Sequence, residues 1–190
     1  MVAFFFLFIN CLHIILTTMR QSINKHYDTN GGLLGHPTNV SSHPKPPVSK
    51  EDETMKHKYQ LSHGGRENHT DTKYKKDRTG DCSIRALAHG LGLSYLIIRD
   101  EIFNLASTMW RMPNDDVVIE EYMKIQGYTR TSPLTHHGKK KYQIGNFPLN
   151  GTIIIRCSRH WTCLKDGIIL DIWDCRKWAA QSFYIIEGGE

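Results

Sequence analysis

Apolar residues are spread very unevenly along this chain, and their pattern divides it into three stretches with boundaries at residues 1–20, 21–72 and 73–190. Val2 to Leu16 is almost unbroken apolar sequence, interrupted by Asn10 and His13. From Gln21 to Thr72 apolar residues stand singly among Gly31-Gly32, Gly35, Pro37, Pro44, Pro46-Pro47 and Gly64-Gly65, a composition that predicts a disordered polar tail. Periodicity begins after Gly80. Ile84, Leu87, Ala88 and Leu91 recur at i, i+3, i+4 and i+7, which predicts a helix from Cys82 to about Gly90 with one apolar face. Gly90 and Gly92 end it, and Ser94 caps a second helix carrying Leu96, Ile97, Ile98, Ile102, Phe103 and Leu105. Asn114-Asp115-Asp116 opens a third, with Val117, Val118, Tyr122 and Ile125 apolar and Gly127 as its stop.

Beyond Gly127 the period changes from helical to alternating. The turn Phe147-Pro148-Leu149-Asn150-Gly151 precedes the β-branched run Thr152-Ile153-Ile154-Ile155. Strands follow at His160 to Leu164 and Ile168 to Trp173, joined through Asp166-Gly167, a pair that favours a two-residue hairpin turn. Ser182 to Ile186 closes the sheet. Helices first and antiparallel strands after them predict an α+β domain.

Composition narrows the function classes. Lys and Arg total 24 against 19 acidic residues, a formal charge of +5, with clusters at Lys73 to Arg78 and Lys139-Lys140-Lys141. No phosphate-binding motif accompanies them, so they read as solvated charge rather than a nucleic-acid site. The 15-residue apolar head is shorter than the roughly 20 residues that cross a bilayer. It lacks the preceding positive charge and the small-residue cleavage site of an export signal. It reads as an extension from an upstream start, with Met19 and Met55 as alternative starts. The expected location is the cytoplasm. The alternative is a membrane-associated or exported chain, and residues 2–16 are the one segment expected to touch a membrane. Asn39, Asn68 and Asn150 begin glycosylation patterns that matter only for an exported chain, and the scattered histidines of the tail have no regular ligand spacing. Five cysteines, Cys11, Cys82, Cys157, Cys163 and Cys175, are an odd number and do not describe a disulfide framework.

Cys82 opens the first helix, where unpaired amides and the positive end of the dipole favour a thiolate. A thiolate that does acyl chemistry needs a base held in one orientation by a third group. If Asp166-Gly167 is the hairpin turn, Lys165 pairs with Ile168 and Thr162 with Asp171, which makes His160 and Asp171 diagonal neighbours on one face. A one-residue slip would substitute Asp174 for Asp171. Trp161 and Trp173 stand where they can shield the pair, although aromatic packing explains them equally well.

The segments Gly80-Asp81-Cys82-Ser83-Ile84-Arg85-Ala86-Leu87, His160-Trp161-Thr162 and Asp166 to Asp174 resemble the papain-like cysteine peptidase superfamily, in particular its small bacteriophage and bacterial members. The resemblance covers roughly Lys73 to Ile186. It implies helices packed on an antiparallel sheet, with Cys82 as nucleophile, His160 as base and Asp171 as the group that orients it. It implies no cofactor, and a protein or peptide substrate, with peptidoglycan crosslinks among the amide bonds that fit. The glutamine that usually precedes the cysteine in that superfamily and assists the oxyanion hole is absent here. Lys76 and Arg78 offer charge in its place, and the Cys82 amide one donor. Two other classes compete. One is a papain-like binding or structural protein without catalysis. The other is a zinc-stabilised module using Cys157, His160, Cys163 and Cys175, although strand alternation works against convergence of residues three apart.

Overall fold

Three helices precede most of the strands, as the change of period at Gly127 predicts. The computed structural model describes residues 55–66, 80–138 and 140–189. These belong to one unit, Val48–Glu190. The helices are α1 (Cys82–Leu91), α2 (Tyr95–Thr108) and α3 (Asp116–Ile125). The strands are β1 (Lys58–Leu61), β2 (Thr135–His136), β3 (Lys140–Lys141), β4 (Gly151–Cys157), β5 (His160–Lys165), β6 (Ile168–Asp171) and β7 (Ser182–Gly188). β2 and β3 form a separate small hairpin. The others make a five-stranded sheet in the order β1-β6-β5-β4-β7, antiparallel except for β1, so the fold is α+β.

Local chemistry explains the boundaries. The Ser94 hydroxyl accepts from the Ile97 amide at 3.3 Å and caps α2, and the Asp115 carboxylate accepts from Val117 at 3.0 Å and caps α3. Gly92 ends α1 at φ 65, a left-handed conformation that costs glycine nothing. Asp166 and Gly167 both take positive φ, 49 and 78, as a two-residue type I′ hairpin requires. The register follows from that turn: Lys165 pairs with Ile168, Leu164 with Ile169 and Cys163 with Leu170. β6 ends at Asp171, two residues short of the expected strand, because the chain bends at Ile172 and Trp173.

Two apolar clusters hold the layers. Leu87, Ile98, Ile102, Ile119 and Met123 of the helices are buried with Ile154, Trp161 and Tyr184 of the sheet. Ile153, Ile155, Cys157, Leu164, Ile169 and Phe183 are buried in the second cluster with Ile144 and Phe147. Each of these larger side chains contributes about 1.5–3 kcal/mol by leaving water. α1 lies against the sheet because Gly90 has no side chain; a Cβ there would stand 2.5 Å from Ile154 Cγ1.

The expected domain start at residue 73 is corrected by β1, which comes from the segment read as a polar tail. β1 pairs in parallel with the outer edge of β6, Lys58 opposite Ile168 through Leu61 opposite Asp171. It is held by its backbone while three of its four side chains stay exposed, so it carries no apolar alternation to read. Just before it, His57 is buried with Nε2 hydrogen-bonded to the Phe147 carbonyl at 2.7 Å. The apolar head lies outside the described residues. Among the described residues no helix is long and apolar enough to cross a membrane.

Two outcomes test this packing. Alanine is favoured over glycine by about 1 kcal/mol within a helix, but overpacking costs about 1–3 kcal/mol. Gly90→Ala should therefore lower stability by about 1 kcal/mol or more in urea denaturation, whereas a gain would mean that α1 can move. A chain starting at Met55 should unfold cooperatively. One starting at Lys73, at about 1 kcal/mol per lost backbone hydrogen bond, should be less stable by several kcal/mol in the same measurement.

Candidate active site

Cys82 is the first residue of α1 and is only partly buried. Asp81 occupies the cap position yet makes no side-chain cap hydrogen bond, so its carboxylate leaves the first-turn amides unclaimed. That carboxylate turns inward. It accepts from the Tyr95 hydroxyl at 2.9 Å and pairs with Arg66 at 3.4 Å and with Arg85 one helical turn on. Burial, followed by the Asp81 charge, pushes the Tyr95 hydroxyl up to about 12, which keeps it a donor.

The β5–β6 hairpin supplies the second half of the site. His160, the first residue of β5, places Nε2 2.6 Å from Asp171 Oδ2, and both side chains are buried. This is the diagonal pair that the hairpin register predicts. Asp171 also accepts from the Ile172 amide at 2.7 Å, receives the Cys175 thiol at 3.7 Å and lies 3.7 Å from the Arg85 guanidinium. Asp174, the alternative orienting residue, is turned away: its carboxylate accepts from the Arg176 backbone and guanidinium at 2.6–3.1 Å. The slipped register that would have favoured it does not occur.

α1 and the hairpin set Cys82 and His160 in the same cleft, close enough for each to shift the other's protonation. With Nε2 engaged by Asp171, Nδ1 is the nitrogen left for the thiol. Burial alone would raise the Cys82 thiol, but the hydrogen bond and charge of His160, the Trp161 amide and the Arg85 charge outweigh it and hold the thiol below its ordinary value. Burial alone would lower the imidazole, and the hydrogen bonds to Asp171, Cys175 and Cys82 overcome it and raise His160 to about 11. The pair therefore favours thiolate and imidazolium together. The other described thiols move the opposite way: burial raises Cys175 and Cys157, and takes Cys163 up to about 12.

Of the two tryptophans, Trp173 covers the imidazole, its ring 4.8 Å from that of His160. Trp161 instead packs in the helix-side cluster, donates to Asp116 at 3.0 Å and stacks on Tyr184. The zinc set foreseen from the sequence does not converge. Among the described residues the ligand atoms that come together, within 4.8 Å, belong to His160, Asp171 and Cys175. Cys163 pairs with Ile154, a residue packed against the helices, and Cys157 points its thiol at the His160 carbonyl at 3.5 Å. Lys76 and Arg78 lie outside the described residues.

Sequence reasoning missed Arg85, Arg66 and Ser62. Arg85 is buried and spans the two carboxylates Asp81 and Asp171, thereby tying α1 to β6. Ser62 donates its amide to the Asp171 carbonyl at 2.8 Å, and Gly64, at φ 68, sits so close that a Cβ would stand 3.1 Å from the Arg85 Cα. Arg85 was legible as a charged residue near Cys82 on the helix wheel; the other two lay in the supposed tail. Comparison of the chain with known protein families, curated sequences and solved structures found no match.

Removing Arg85 as Arg85→Met should destabilise the fold by about 3–5 kcal/mol in denaturant, because Asp81 and Asp171 would keep buried charge without their shared partner. Iodoacetamide should alkylate Cys82 before Cys157, Cys163 and Cys175, and its rate should persist below the ordinary thiol range as the pH falls. In His160→Ala the loss of the cation should move that profile to higher pH, since the anion loses its stabilising charge. Peptide mass spectrometry across a pH series reads both effects.

Proposed function

We propose that this chain is a papain-like cysteine hydrolase that acts on an amide or ester by acyl transfer. The observation that carries this reading is a helix-terminal thiol sharing one cleft with a buried His160–Asp171 pair at 2.6 Å. Cys82 attacks the carbonyl carbon and forms a tetrahedral oxyanion, and its collapse expels the leaving group as His160 gives that group its proton. Water then attacks the thioester, with His160 taking its proton, and releases the acid and the Cys82 thiol. Asp171 does not take the proton; it fixes the imidazole and balances its charge.

The oxyanion donors in this reading are the main-chain amides at the start of α1. They are available because the Asp81 side chain does not cap them, and backbone amides of this kind replace the missing glutamine. The cleft, about 600 Å³, is lined by Cys82, His160, Arg85, Arg159, Ile172 and Trp173, so the reacting thiol is open to a ligand while the base is shielded. The substrate is a protein or peptide-like amide, peptidoglycan crosslinks included. A location in the cytoplasm fits a thiol nucleophile among free cysteines.

A panel of peptide amides and activated esters tests the reading. Cys82→Ala and His160→Ala should each lower kcat/KM by about a thousandfold or more, and Asp171→Asn by less, about ten- to a thousandfold, because orientation is secondary to having a base. A folded protein whose Cys82 is alkylated selectively but turns over no member of the panel would favour the non-catalytic binding role.

A further inference from the structure

The cleft has an electrostatic character that acyl transfer itself does not require. Among its described lining residues are two guanidiniums, Arg85 and Arg159, and no carboxylate. Arg85 is already matched by Asp81 and Asp171. Arg159 is not: it is exposed, and among the described residues no hydrogen bond or ion pair engages it. It is the second residue of the two-residue turn between β4 and β5, directly before His160, with φ 58. A non-glycine residue in that left-handed conformation carries a backbone penalty of about 1–2 kcal/mol. The turn therefore carries an unneutralised cation beside the base, in a cleft whose other walls, Ile172 and Trp173, are apolar.

We propose that Arg159 recognises a carboxylate on the substrate, so that the preferred acyl donor is an acidic peptide-like unit with its anionic group close to the bond that Cys82 attacks. The planar guanidinium can hold a carboxylate with two parallel hydrogen bonds, which gives orientation as well as attraction. Ile172 and Trp173 accept the short aliphatic part of such a unit and lower the local dielectric, which strengthens the pairing. The inference rests on the reading of Cys82 as nucleophile and adds to it the chemistry of what is bound.

Two alkylating agents of similar size separate the two claims. Iodoacetate and iodoacetamide both lose iodide to the Cys82 sulfur, and only the first carries a carboxylate. The quantity to measure, on the full chain, is the ratio of their rates at Cys82, read by peptide mass spectrometry. His160 and Arg85 attract the anion in every variant, so a change in the ratio reports Arg159 alone. Arg159→Gln should lower the ratio by about three- to tenfold at low ionic strength, and Arg159→Lys should stay within about twofold of the native value. Glutamine has the same β-carbon, so the backbone penalty at φ 58 is matched. In the unmodified protein, raising salt from about 0.02 M to about 0.5 M should lower the ratio more than it does in Arg159→Gln.

Recognition beyond simple attraction is read by protection. Acetyl-glutamyl-alanine amide should slow iodoacetamide at Cys82 more than the glutaminyl counterpart does, and Arg159→Gln should abolish the difference. An unchanged iodoacetate ratio in Arg159→Gln, or equal protection by the two peptides in the native chain, overturns the inference and leaves the nucleophile standing. If Cys82 reacts no faster than Cys175 with either reagent, the nucleophile reading itself fails and the inference goes with it.

Discussion

A carboxylate buried at the end of a strand must be neutralised where it stands, and Asp171 imposes that constraint on everything around it. Its two oxygens meet the His160 imidazole, the Ile172 amide, the Cys175 thiol and, at longer range, the Arg85 guanidinium. Each partner comes from a different part of the chain's local geometry: a strand start, a bend, a loop and a helix. Arg85 is the most consequential, because it stands on the helix that carries Cys82 and also answers Asp81. Charge balance thereby sets how α1 sits against β6, and with it the approach of thiol to imidazole. Buried ion pairs return little net energy for the desolvation they require, so the network's visible effect is on position: it fixes α1 against β6.

The second support is the segment from His57 to Arg66. It lays β1 along β6, gives Ser62 to the Asp171 carbonyl, presses Gly64 against Arg85 and sends Arg66 to Asp81. Both ends of the charge network are thus held by residues that precede Cys82 in sequence. The catalytic reading and the packing reading of Asp81 also converge here: a cap residue that pairs inward leaves the first-turn amides without a side-chain cap.

Much of the site was legible because local rules decide it. Asp166-Gly167 prefers a single turn type, that turn sets the register, and the register makes His160 and Asp171 neighbours while excluding Asp174. The apolar offsets of Ile84, Leu87, Ala88 and Leu91 likewise orient α1 and leave Cys82 toward its open end. What escaped was governed by distant partners. β1 reads as tail because Lys58, Tyr59, Gln60 and Leu61 bind through the main chain and have no buried face to advertise. The spanning role of Arg85 depends on where β6 lies relative to α1, which no periodicity encodes. Cys157 and Cys175 share one buried cluster while Cys163 stands opposite Ile154 of the other, because strand pairing and packing, not spacing, decide where a thiol lies.

The parallel pairing of β1 also has a bearing on the order in which the protein can be built. It joins segments roughly a hundred residues apart, so its closure entropy is met late, after the β5–β6 hairpin has formed locally and offered an edge. Until then the outer side of β6 carries unpaired amides and carbonyls, that of Asp171 included. A bare strand edge is a template for another chain. Docking of β1 thus exchanges the bare edge of β6 for that of a strand only four residues long and opening on an exposed lysine, the kind of edge that resists pairing with another copy.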